Sequence, residues 1–276
     1  MSAVNVQRVV VESSIVPVEI SPKDWPEGKI RDESCWSDKE FYRSIEVTCT
    51  ANFCIRVRTA KICYVFIWKN CKICLVDLVP CVLQSWYPVA KIISEEAALA
   101  YGQQTGLDVV TINPGLVSAP CCSRRLTQAS SSSSTPSKHH LIINLLSGDA
   151  GGPDLVRNKL WHIVDVRDLA DALLLLYEVP EATGRHICAP HVISARDLLD
   201  LLKSMYPDYP FITKESICDS DHPAPMTSDK LKKIGWSCRP LEETILDTVE
   251  CCQQTGFLDD VAEETPCRFP PIFNKI

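Results

Sequence analysis

The stretch SWYPVAKIISEEAALAYGQQTGLDVVTINPGLV, residues 85 to 117, opens with Tyr87 and Lys91 and closes in a β-type run ending Asn-Pro-Gly. Residues four apart share a helix face, so the Lys91 ammonium would lie beside the Tyr87 phenol. There it would stabilise the phenolate left when the phenol gives up its proton. A general acid for carbonyl reduction needs that arrangement. A serine hydroxyl at the end of a neighbouring strand would complete it by hydrogen-bonding the substrate carbonyl. Ser13 and Ser14 close the run VQRVVVESSI and could supply it. The bland alternatives are an ordinary helical turn for the first pair and a strand-end turn for the serines, so the surrounding elements must decide.

Those elements read as an α/β alternation. The β-branched density of residues 8–12 predicts a buried parallel strand. Val89, Ile92, Ile93, Glu96, Ala97 and Ala100 give a mixed helical pattern from Tyr87 to about Tyr101, with an apolar face suited to packing on a sheet. LDVVTIN is the next buried strand. Farther on, LWHIVDV runs into a helix over about Val166 to Glu178, stopped by Pro180, and GRHICAP is another strand. Ser194 suits the N-cap of ARDLLDLLKSMY, with Asp197 at its third position. Pro240 suits the first turn of LEETILDTVECCQQTG. Asp165 and Asp168 read as helix-capping residues.

Two stretches break this pattern. Residues 47–84 are rich in Cys, Val, Ile and Leu without clear period, and Lys69, Lys72 and Asp77 interrupt every window long enough to span a membrane. CCSRRLTQASSSSSTPSKHH reads as a linker or low-complexity insert.

Composition narrows the function classes. The 276 residues are 46% hydrophobic and 23% charged, enough for a sizeable core. A formal charge of −7 lacks the basic excess that a nucleic-acid surface needs. No charged-then-apolar leader precedes the 15 cysteines, so the thiols are expected to be reduced and the location cytoplasmic. Cys71 and Cys74 form a CxxC without a matching second pair, and no metal site is expected.

Taken together, RVVVESSI, DESCWSDKEF, WYPVAK, NPGLV and HIVDVRDLADALLLLYE resemble the cinnamoyl-CoA reductase and dihydroflavonol reductase group of plant extended short-chain dehydrogenases. The resemblance covers residues 1–46, 85–118 and 151–276. It implies an α/β fold with an incomplete Rossmann-type parallel sheet in residues 1–150 and a small C-terminal substrate lobe in 151–276. It also implies Ser14 as the carbonyl-binding serine, Tyr87 as proton donor and Lys91 as the residue that tunes Tyr87 and holds the nicotinamide ribose. Pro114, Gly115, Leu116 and Val117 would line the nicotinamide. The reaction would be reduction of a carbonyl or CoA thioester, a small-molecule partner, by NADPH.

The chain departs from that group in three ways. The GxxGxxG turn that seats a pyrophosphate on a helix N-terminus is not found, and the sequence begins at what resembles the fourth strand; weak or no NADPH binding is expected on that ground. Ser14 and Tyr87 lie 73 residues apart, about twice the family spacing. Removing 47–84 restores the family run, as a retained intron would: Val can be encoded by a donor-like GTN and Gln by an acceptor-like CAG. Residues 119–129 match a family-like GPLLQPTVNAS read one nucleotide out of phase, with the frame returning near Gly151. Neither 47–84 nor 119–150 is expected to pack. Two rival readings follow, a catalytically inactive product and a nucleotide-sugar epimerase or dehydratase.

Overall fold

The computed structural model describes residues 6–19, 25–26, 28–38, 79–118, 141–146, 156–219, 224–254 and 258. They fall into two units by contact, Met1–Asn113 with Pro180–His186, and Pro114–Val179 with Ile187–Ile276. The sequence division at residue 150 follows composition and motif; this grouping follows which residues touch.

Strand β1 (Arg8–Glu12) pairs in parallel with β2 (Asp108–Pro114), and β6 (Gly184–Cys188) follows β2 in the strand order; β1, β2 through Asn113 and β6 through His186 belong to the first unit. Arg8 stands opposite Asp108 in the register, and its Nε bonds the Asp108 carboxylate at 2.6 Å. At the other end the Ser13 amide continues the ladder by donating to the Ile112 carbonyl at 2.8 Å. A short helix, α1 (Val16–Glu19), follows β1.

Parallel strands need a crossover, and helix α2 (Val79–Thr105) leads directly into β2. Its buried face carries Val89, Ile92 and Glu95, spaced at one helical turn. Gly102 lets the last turns lie close to the strand: a Cβ there would meet Val109 Cγ2 at 2.8 Å and the Leu107 carbonyl oxygen at 2.9 Å. Gly106, at φ +74°, takes the left-handed position after the helix, and its N–H bonds the Gly102 carbonyl at 2.9 Å.

The helix starts at Val79, eight residues before the expected Tyr87. Pro88 therefore lies inside it, where it cannot close the bond to the carbonyl of Gln84. The apolar run before Tyr87 has no strong period of its own, which hid the true start. Of the stretch 47–84 only 79–84 are described, as these first helical turns; the remainder, with the CxxC, lies outside the described residues.

In the second unit, β3 (Leu116–Ser118) runs parallel to β5 (Leu160–Asp165), and β5 is antiparallel to β7 (His191–Ser194). A separate parallel pair joins β4 (Val156–Asn158) to β8 (Ile217–Asp219). Around them stand α3 (Leu141–Leu146), α4 (Val166–Glu178), α5 (Ala195–Met205), α6 (Asp229–Lys233) and α7 (Leu241–Gln254). Their core is built from Leu145, Leu146, Ile163, Leu198, Leu199 and Ile245, among others. The expectation that 119–150 does not pack fails for α3, whose Leu141, Ile142, Leu145 and Leu146 are buried in that core. Four apolar residues at i, i+1, i+4 and i+5 form a helical face that the neighbouring serine tract had masked.

At α4 and α5 the starts expected from sequence are observed. Ser194 Oγ accepts from the Asp197 amide at 3.1 Å, and Asp165 caps α4 by accepting from the Arg167 amide at 2.8 Å. Asp168 differs from its expected role. Its carboxylate takes the Arg239 amide and guanidinium, and its backbone carbonyl takes the Trp236 indole N–H, so it ties α4 to the segment before α7.

Burial works to raise the Asp165 carboxyl, but bonds from the Arg167 side chain and amide outweigh it and hold the group below the usual carboxylate range. Arg167 also reaches Asp247 at 2.7 Å, pinning α7 to the start of α4. A depressed carboxylate contributes stability above its unfolded-state pKa and loses it as pH falls through the folded value. Asp165→Asn should therefore lower stability near neutral pH by about 1–2 kcal/mol. It should also flatten the acid-side loss of stability, as read by urea unfolding at a series of pH values.

Candidate active site

The exposed edge of α2 presents the Tyr87 ring, 49% accessible, above buried Val89 and Ile92. One turn on, Lys91 Nζ lies 5.8 Å from the Tyr87 ring centroid and donates to the Ser13 carbonyl at 3.0 Å. The ammonium is thus held between the phenol and the end of β1. Helix periodicity explains the arrangement: 89, 92 and 95 face the sheet, while 87 and 91 lie along the boundary of that face.

The two serines divide their work. Ser13 Oγ donates to Glu95 Oε2 at 2.7 Å, which commits this hydroxyl to the helix. Ser14 Oγ accepts from the Val16 amide at 3.4 Å where α1 begins, and the Ser14 carbonyl accepts from Asn113 Nδ2 at 2.8 Å. Both serines are buried. Of the two, Ser14 keeps a hydroxyl hydrogen that bonds nothing among the described residues.

Beneath them lies a residue that the sequence reading did not select. Glu95 is fully buried and accepts four bonds: Ser13 Oγ and Asn113 Nδ2 on Oε2, Thr111 Oγ1 and Arg185 Nε on Oε1. Two donors per oxygen is the pattern of an ionised carboxylate, which has acceptor sites for all four. Arg185, from β6, also donates to the Glu33 and Cys35 carbonyls at 2.9 and 2.6 Å and lies 3.6 Å over the Trp36 ring. The available signal was an acid falling in register with Val89 and Ile92 on the apolar side of the helix, matched by an arginine within an otherwise buried strand.

Pro114 to Val117 belong to the second unit. The Gly115 amide donates to the Cys188 carbonyl at 3.0 Å, and a Cβ on Gly115 would clash with the His162 carbonyl oxygen. The close approach of β5 therefore gives this glycine a packing reason independent of any ligand. Leu116 packs against the core, and Val117 is partly exposed.

Burial pushes the Cys35 thiol up from its ordinary range, and the Cys188 thiol well up; neither suits a nucleophile. Among the described residues no cluster of His, Cys, Asp and Glu could hold a metal ion, and no helix is long and apolar enough to cross a membrane.

With this geometry in hand, residues 76–188 match the model of the NAD dependent epimerase/dehydratase family. Cinnamoyl-CoA reductase 1 of Petunia hybrida is 32% identical over 256 residues, which cover 92% of this chain and 62% of the relative. The chain is similar to the cinnamoyl-CoA reductase-like extended short-chain dehydrogenases. Solved structures agree on the fold. Vestitone reductase from alfalfa superposes with a TM-score of 0.63 at 22% identity, covering 93% of this chain and 68% of that one. A yeast methylglyoxal/isovaleraldehyde reductase complexed with NADPH gives 0.58 at 21%, covering 91% and 64%.

The residues present on α2 could hold the ribose end of a nicotinamide cofactor. Among the described residues Lys91 gives one ammonium hydrogen to Ser13 and keeps two, and Tyr87 offers a hydroxyl on an exposed ring. Both are suited to ribose hydroxyls.

Gly115→Ala should destabilise the fold by roughly 1–3 kcal/mol, because the new methyl has only backbone to push against. A thermal melt in the absence of any nucleotide checks this. An unchanged midpoint would return Gly115 to a purely ligand-facing role.

Proposed function

We propose that the Tyr87, Lys91 and Ser14 site reduces a carbonyl with NADPH, the substrate being a phenylpropanoid CoA thioester or a related carbonyl compound. The observation that carries this reading is the Lys91 ammonium, held by the Ser13 carbonyl beside the Tyr87 ring. On this reading Ser14 donates its hydroxyl hydrogen to the substrate oxygen and orients it. Tyr87 gives its proton to the same oxygen as negative charge develops there. Lys91 stabilises the phenolate that remains and holds the nicotinamide ribose. NADPH, when bound, would supply the hydride. Pro114, Gly115, Leu116 and Val117 are proposed to line the nicotinamide on the family pattern alone. The substrate class follows the relative from Petunia hybrida. A cytoplasmic location is proposed with it.

The chain spans 62% of the length of that relative. A second reading is a protein of this scaffold that does not turn over.

One assay separates the two. The chain is incubated with NADPH and a hydroxycinnamoyl-CoA thioester, beside its Tyr87→Phe variant. The first reading expects NADPH consumption that falls by about 100-fold or more in the variant. A nucleotide-binding affinity within a few-fold of wild type, read by NADPH fluorescence, would show that the variant lost chemistry alone. Equal rates in both proteins contradict the Tyr87 role, and absence of turnover in the wild type supports the second reading.

A further inference from the structure

We infer that Glu95 is a positioning residue for the reduction proposed above, with one carboxylate oxygen setting the place of both Ser14 and Lys91. This rests on the Tyr87, Lys91 and Ser14 reading. Two relays leave Glu95 Oε2. In the first, Ser13 Oγ bonds that oxygen at 2.7 Å, and the carbonyl of the same Ser13 receives Lys91 Nζ at 3.0 Å. In the second, Asn113 Nδ2 bonds the oxygen at 2.7 Å and gives its other hydrogen to the Ser14 carbonyl at 2.8 Å. The proton-donating pair on α2 and the hydroxyl at the end of β1 are thereby referenced to one atom.

The other oxygen stops the carboxylate from turning. Oε1 takes Thr111 Oγ1 at 2.9 Å and Arg185 Nε at 2.8 Å, so both edges of the group are occupied. An amide in its place would turn an NH2 group toward two donors, whichever way it was flipped. An aspartate would fall one methylene short. Glu95 touches neither substrate nor cofactor on this reading, so it acts only through Ser13 and Asn113. Active-site geometry is sensitive to such support, since a misplacement of about 1 Å can cost 100-fold in rate.

The test compares the full chain with Glu95→Gln, Ser13→Ala and Ser13→Thr, by two readouts. Hydrogen exchange without cofactor is followed in peptides covering Ser13–Val16 and, as reference, Val109–Ile112. Glu95→Gln and Ser13→Ala are expected to speed exchange in the first segment by about tenfold relative to the second, with Ser13→Thr restoring protection. In the reductase assay the same two variants should lose roughly 10- to 100-fold in kcat, with KM for the carbonyl held within about twofold, and Ser13→Thr should recover most of the loss. Exchange that is unchanged, or raised equally throughout the unit, overturns the inference, as does an unaltered kcat per folded molecule. Because Glu95→Gln leaves Arg185 beside a neutral group and can impair folding, Ser13→Ala alone is enough to sustain or overturn the inference. Should the wild type show no Tyr87-dependent reduction, the functional reading fails by itself. The exchange comparison then decides the clamp on its own: local opening sustains it, uniform or absent opening removes it.

Discussion

A carboxylate placed in the interior is costly unless donors replace the water it gives up, and Glu95 has four of them on its two oxygens. Those donors come from three separate strands or strand ends: Ser13 after β1, Thr111 and Asn113 in β2, and Arg185 in β6. The helix that carries Glu95 also carries Tyr87 and Lys91. Satisfying one buried charge thus fixes the helix on the sheet, in register as well as in place. The apolar contacts of Val89 and Ile92 hold α2 down without specifying which residue meets which, since apolar burial is non-directional. Directional bonds to a fixed charge supply that choice.

The second unit follows the same logic at other positions. Arg167 joins Asp165 to Asp247, and Arg239 engages Asp168, so charged pairs fix α4 against α7 and its leading segment while Leu198, Leu199 and Leu202 supply bulk burial. In both units an arginine reaches a carboxylate on a different element. Removing one partner leaves the other charge without compensation in a poorly hydrated place, so the cost of such a change exceeds the worth of the pair itself.

Much of the fold was legible in the sequence because its signals are local. The β-branched run of β1, the N-caps Asp165 and Ser194, and the bounds of α4 follow from residue type and spacing, and the structure agrees. The Tyr87 and Lys91 spacing likewise placed both on one helix face. Legibility failed where a local signal was masked or the cause was non-local. The start of α2 was hidden by an aperiodic stretch with Pro88 just beyond it, and α3 by the adjoining serine tract. Glu95 could not be singled out because its importance lies in donors 16 to 90 residues away in sequence. For Gly115 the sequence offers only a place lining the nicotinamide; its packing constraint, the carbonyl of His162 from a distant strand, is not a local signal. Asp168 was read as a cap because its partner Arg239 lies 71 residues on.

The Glu95 carboxylate couples the strand end at Ser13 to the helix carrying Tyr87 and Lys91. A double-mutant cycle on unfolding free energy tests it directly, using Glu95→Gln, Ser13→Ala and the pair together. If the two residues act as one bonded unit, the combined loss should differ from the sum of the single losses by more than about 0.5 kcal/mol, the ordinary scatter for independent sites. Losses that add within that margin would contradict the account.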